Sequence, residues 1–179
     1  MAVLTATALT GITTRMADAS MSAGSILQVV QTVKTDTFST SSDGTSWVEV
    51  PDLNVSIIPS STDNKVLIDA NISYSTGRAD FTVFFSLYDG STQLTDFIGD
   101  AGESNQTRNT TMERLHANSP GTARVTALVS PSSTSTKTYK IYCLNENNGY
   151  SSINKMYSDS NLQDFGRSIS TITAMEVAA

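Results

Sequence analysis

From Lys65 to Tyr74 the sequence alternates two kinds of side chain. Val66, Ile68, Ala70, Ile72 and Tyr74 are apolar, and Asp69, Asn71 and Ser73 between them are polar. Successive side chains of an extended backbone point to opposite faces, so this period of two marks a strand with one buried face. The same period runs through Phe81, Val83, Phe85 and Leu87, through Val125, Ala127 and Val129, and through Tyr139, Ile141 and Cys143. Residues 26–33 (ILQVVQTV) and 169–177 open and close the series. Turn signals separate the runs: Asp43-Gly44 within 39–46, then 59–64, Asp89-Gly90, 131–136 and 145–149. Nothing between the runs has helical periodicity, which excludes a parallel sheet built from βαβ units. Eight to ten strands with turns roughly every 8–12 residues predict an all-β fold. The expected architecture is an antiparallel β-sandwich, jelly-roll-like, over residues 25–179, with a short N-terminal extension over 1–24.

The finer expectations are uneven. Pro51, which has no N–H to give a ladder, should split 47–50 from 53–58. The opening strand should run on toward Phe38, and 150–157 should add a further strand. Between Ser91 and Gly121 apolar residues thin out, and marginal strands are expected over 94–98 and 107–115.

Charge and composition narrow the function. Asp and Glu number 17 against 11 Lys and Arg, a net charge of −6. A nucleic-acid binder needs the opposite balance, so no nucleic-acid partner is expected. Charged residues are only 16%, below the roughly 25% usual in globular chains. Ser and Thr, about 50 of the 179 positions, fill the gap and suit strand surfaces and turns better than helices. No run approaches the ~18 apolar residues of a membrane span, and residues 1–14 lack the basic start of a secretory signal. A chain that stays soluble, with no membrane insertion, is expected.

Catalytic motifs fail one by one. The chain has no GxSxG elbow, no Walker loop, no dinucleotide fingerprint and no HExxH. His116 is its one histidine and Cys143 its one cysteine, which leaves neither a two-histidine metal site nor an internal disulfide. His116 is expected at the surface, Cys143 as a small buried hydrophobe. Asp89, Asp96, Asp100 and Glu103 could pair as a glycosidase needs, but spacing cannot give their separation. The stretch 96–103 matches no calcium-loop template. No catalytic residue, cofactor or metal is assigned. The sequons at Asn54, Asn71, Asn105 and Asn109 follow from a chain full of Asn, Ser and Thr.

Three features point to partners. Residues 1–24 are rich in Ala, Thr, Ser and Met, with a short helix conceivable over 15–23; they read as an arm whose small apolar side chains suit packing on another protein. Phe84, Tyr88, Tyr142 and Leu144 stand out of phase with the core residues of their strands. A solvated face should be polar there, so they are covered by a loop of the same chain, face the core in a reversed phase, or form a subunit interface. Finally, 145–167 (NENNGYSSINKMYSDSNLQDFGR) combines amides with aromatic rings, and Asn148, Tyr150 and Tyr157 are candidate glycan contacts: ring faces pack on the CH patches of sugars while amides bond their hydroxyls.

Six segments carry a resemblance. They are GSILQVVQTVKTDTFST at 24–40, WVEVPDLNVSIIPSS at 47–61, NKVLI at 64–68, SLYDGST at 86–92, SPSSTSTKTYK at 130–140 and STITAMEVAA at 170–179. Over residues 24–179 the chain resembles a module of virion proteins of tailed phages, especially marine and cyanobacterial ones. The resemblance implies a jelly-roll-like sandwich, a homotrimer, and a place at the C-terminal end of fibre-like proteins; it brings no catalytic residues. A long shaft usually precedes the module, and here only 24 residues do. The expected location is therefore the virion, as a surface fibre held through residues 1–24 to other virion proteins and touching host-surface glycan. A capsid decoration protein is the alternative, and a glycan-cleaving enzyme a remote one.

Overall fold

A computed structural model of the chain describes residues 21–42, 44–100, 102–103 and 105–179. Among them the strands in chain order are β1 (Ile26–Lys34), β2 (Phe38–Ser41), β3 (Val48–Ile57), β4 (Lys65–Thr76), β5 (Phe81–Asp89), β6 (Thr92–Gln93), β7 (Thr111–Leu115), β8 (Pro120–Val129), β9 (Lys137–Asn145), β10 (Tyr150–Ile153) and β11 (Ser170–Val177). At twelve residues β4 is long enough to pair β11 along 65–71 and β10 along 74–76 on one edge, and β8 on the other. β1 pairs β11 and β2 pairs β10, so β1 with β2, and β11 with β10, each act as one interrupted strand. The first sheet is thus four positions wide: β1/β2, β11/β10, β4, β8. The second is β3, β9, β5, with β6 and β7 sharing the outer edge of β5. Numbered as eight positions along the chain, the sheets read 1-8-3-6 and 2-7-4-5, all antiparallel. That is the strand order of a jelly roll, and the expected all-β sandwich is what the chain forms.

The alternation read from the sequence sets the core. Val66, Ile68, Ala70, Ile72 and Tyr74 of β4 meet Phe81, Val83, Phe85 and Leu87 of β5 and Tyr139, Ile141 and Cys143 of β9, all buried. The first sheet contributes small residues, Ala70, Ala123, Ala127 and Ala174, which leave room for the rings of the second. Tyr74 and Phe85 join the layers edge to face, ring centroids 5.2 Å apart.

Departures from the expected strands have local causes. Pro51 does not divide β3. The strand lies at a sheet edge, where a missing N–H costs no ladder bond, and it bulges instead: Glu49 pairs Tyr142 and Asn54 pairs Lys140, five steps on β3 against two on β9. Asp52 takes the left-handed backbone, φ 61°, and the inserted residues let Val50 and Leu53 both face the core. The opening strand stops at Lys34 because Asn154 intervenes. Its amide nitrogen donates to the carbonyls of Lys34 and Asp36, both at 2.9 Å, and its oxygen accepts from the Ser170 hydroxyl at 2.7 Å. One buried side chain thereby ties the β1–β2 break to the β10–β11 break. The strand expected over 94–98 is a 3-10 turn at Thr95–Phe97, and that expected over 107–115 shortens to β7. Residues 1–20, which hold most of the arm over 1–24 and of the helix considered over 15–23, lie outside the described residues, and 21–23 are not helical.

Connections divide between two ends. At one, the Gly24 N–H bonds the Ala178 carbonyl and the Ala178 N–H bonds that of Ser25, both at 2.9 Å. The β3–β4 and β8–β9 connections lie at this end too. At the other lie the β4–β5, β7–β8 and β9–β10 turns. The twelve residues of β4, at about 3.3 Å each, set the ends roughly 35–40 Å apart.

Candidate functional site

The far end, away from Gly24, gathers the residues expected to touch glycan. Asn147 and Asn148 take left-handed backbone, φ 40° and 58°, and turn β9 into β10, which puts Tyr150 at the rim. Asparagine tolerates that conformation better than other side-chain-bearing residues, so the two-asparagine turn is written in the sequence. Tyr157 comes from the following loop. Its ring lies over Gly77, where an added Cβ would sit 2.7 Å from ring carbons. The Gly77 N–H donates to the Tyr150 carbonyl at 3.1 Å, and the Ser158 N–H to Asn118 Oδ1 at 3.1 Å. The result is two exposed rings, Tyr150 48% and Tyr157 39% accessible, with centroids 6.0 Å apart and planes at 50°. Asn148 lies in the same turn as Tyr150. Chemically this is a small apolar platform beside amides on a backbone held by hydrogen bonds.

Of the out-of-phase residues, Tyr88 and Leu144 are covered within the chain, at 7% and 2% exposure, while Phe84 and Tyr142 are half-buried. They lie on the outer face of the second sheet. Tyr88 stacks on Tyr142 with centroids 3.9 Å apart, and Trp47 lies 6.4 Å from Tyr88. Glu49 accepts both the Lys140 ammonium, at 3.0 Å to each oxygen, and the Tyr142 hydroxyl at 3.2 Å. Burial and the neighbouring Glu49 push the Tyr142 hydroxyl pKa up. A cleft of about 400 Å³ opens beside Phe84, between Met112, Arg114, Glu146 and Asn147.

The outer face of the first sheet is the part the sequence did not single out. Val29 pairs Met175, Met175 pairs Leu67, and Leu67 pairs Leu128, so an apolar row crosses all four strands. Val29 is 58% and Leu128 51% exposed. A signal existed: each of these residues breaks strict alternation inside an apolar doublet or triplet, Val29-Val30, Val66-Leu67-Ile68, Ala127-Leu128-Val129 and Ala174-Met175. The next row is polar and internally bonded. Gln31 donates to Thr173 at 2.9 Å, and Asp69 accepts Thr126 at 3.2 Å and the Arg124 guanidinium at 2.8 and 3.0 Å. Arg124 holds the Asp69 carboxyl below the usual carboxylate range.

The reactive side chains are placed as the sequence suggested. His116 is exposed, 3.7 Å from Asp80, and Cys143 is buried, its thiol pushed up to about 12 by burial. Asp89 is engaged by Lys137 at 2.8 Å. Among the described residues no three His, Cys, Asp or Glu side chains converge as a metal site, and no helix is long and apolar enough to cross a membrane.

No protein-family model and no curated protein matches the sequence. Among solved structures, a chain of infectious bursal disease virus, Gx strain, is 14% identical with a TM-score of 0.43; the match covers 85% of this chain and 37% of that one. The Eiger TNF of S. frugiperda is 8% identical with a TM-score of 0.42, covering 84% of this chain and 93% of that one. A protein of Bacillus endospore appendages, described as disulfide-linked pili, is 9% identical with a TM-score of 0.33, covering 89% and 96%. Likeness at this level, to proteins of such different description, assigns this chain neither family nor activity; its fold rests on its own strand order.

Proposed function

We propose that this chain is a non-catalytic structural protein of a tailed-phage particle, a trimeric surface appendage held by residues 1–24 and meeting host-surface glycan at its far end. The observation that carries this proposal is the polarity of the sandwich. The chain enters at the end where Gly24 bonds Ala178, and the Tyr150–Tyr157 platform with Asn148 lies about 35–40 Å away at the opposite end. An anchored protein that must touch a second surface needs that separation. The sequence resemblance over 24–179 supports the virion setting.

Replacing Tyr150 and Tyr157 together by Ala should lower adsorption of particles to host cells at least tenfold while leaving the melting temperature within a few degrees, since both rings are half exposed. Adsorption equal to wild type removes the platform from host contact.

A second proposal is favoured by the broad apolar row on the first sheet, which would suit a capsid lattice: a decoration protein. Quantitative mass spectrometry of purified particles separates the two. A few to a few dozen copies per particle are expected for an appendage; hundreds mean general capsid decoration.

A further inference from the structure

The row Val29–Met175–Leu67–Leu128 has no cover from its own chain among the described residues. We infer that the outer face of the first sheet is where copies of this chain meet, with that row as the apolar layer of the contact; this rests on the oligomeric appendage proposed above.

Three observations favour a second copy as the occupant. The first is charge. The protein carries −6 overall, and two such chains repel unless the surfaces in contact are free of acid. On this face Asp69 is neutralised by a bidentate Arg124, and Lys65 at the start of β4 adds a positive charge, so like faces meet without acidic repulsion. The second is the state of the polar groups. Gln31 with Thr173, and Asp69 with Thr126 and Arg124, already bond one another, so burying them strands fewer donors and acceptors than burying an open polar face. The third is size. Four strands at about 4.8 Å and nine residues at about 3.3 Å give a face of roughly 600 Å² per copy, so three copies around one axis bury up to about 1,800 Å² in all, more than the ~1,000 Å² at which specific association begins. An axis running along the strands would bring the apolar rows of three copies to one level. It would also leave the three Gly24 ends together and the three tyrosine platforms together at the other end.

The test uses the full-length chain in light scattering at micromolar concentration. Wild type should have the mass of a trimer, and V29E/L128E should fall threefold to the monomer with an unchanged far-ultraviolet spectrum. The control L162E, an exposed leucine in the loop after β10, should keep the wild-type mass. Since Cys143 is buried, L67C under mild oxidation should give a disulfide-linked pair on a non-reducing gel, and L162C should not. This second measurement decides the matter even if V29E/L128E misfolds. A wild-type oligomer whose mass survives V29E/L128E, or that leaves L67C uncrosslinked, overturns this surface alone. A monomeric wild type overturns both the surface and the trimeric appendage.

Discussion

Glu176→Ala should lower the unfolding free energy by about 3–4 kcal/mol, because it orphans donors that a fully buried carboxylate now satisfies. One oxygen accepts the Ser60 N–H and hydroxyl, each at 2.6 Å, and the Asn64 amide at 2.8 Å; the other accepts the Gln28 amide. Glu176 thus clamps the connection that carries the chain from the second sheet to the first onto β11 and β1. Burial alone would raise its pKa, but the hydrogen bonds from Ser60, Asn64 and Gln28 outweigh it and hold the carboxyl below the ordinary glutamate value. A depressed folded pKa gives stability that is complete above the unfolded value, about 4.3, and is lost as pH falls through the folded one. Denaturant titrations from pH 7 to pH 3 should therefore show the difference between wild type and Glu176→Gln shrinking on the acid side. A difference that stays constant over that range would mean that folding does not shift the carboxyl's pKa, and one that grows on the acid side would mean that burial outweighs the hydrogen bonds.

Phe85→Ala should cost as much, about 4 kcal/mol, and lower the melting temperature by roughly 10 °C in calorimetry. Phe85 is fully buried, and its ring meets Tyr74 edge to face across the gap between the sheets. Removing it takes away transfer energy and leaves a cavity that rigid strands on both sides cannot close. A loss under about 1 kcal/mol would show that the two sheets do not lean on this contact.

The strands that were plain in the sequence are those whose alternation spans ten residues or so, β4 above all, because one buried face must repeat with the pleat. The jelly-roll count was legible for the same reason. The bulge in β3 was not: Pro51 announces an interruption, but whether it ends a strand or bends it depends on β3 lying at an edge, which only pairing decides. β6 was lost because two residues carry no period. At the far end, Tyr150 and Tyr157 stood out by composition, yet their approach to 6.0 Å depends on Gly77 lying under one ring, a contact between segments 80 residues apart. The covered pair Tyr88 and Leu144 shows the ambiguity of an out-of-phase apolar residue, since the same pattern also produced the exposed row on the first sheet. Glu176 carried a usable hint, standing in phase with Ile172 and Ala174, two core residues of β11.

The bonds between Gly24, Ser25 and Ala178 bring the chain into the sandwich at the start of the β1–β11 ladder. If the protein is tethered there and gripped at Tyr150 and Tyr157, tension runs along the strands. Ladder bonds lie across that direction, so the load falls on many of them together as shear instead of peeling them one by one. On the role proposed above, resistance to fluid drag would come from the place where the chain enters the ladder.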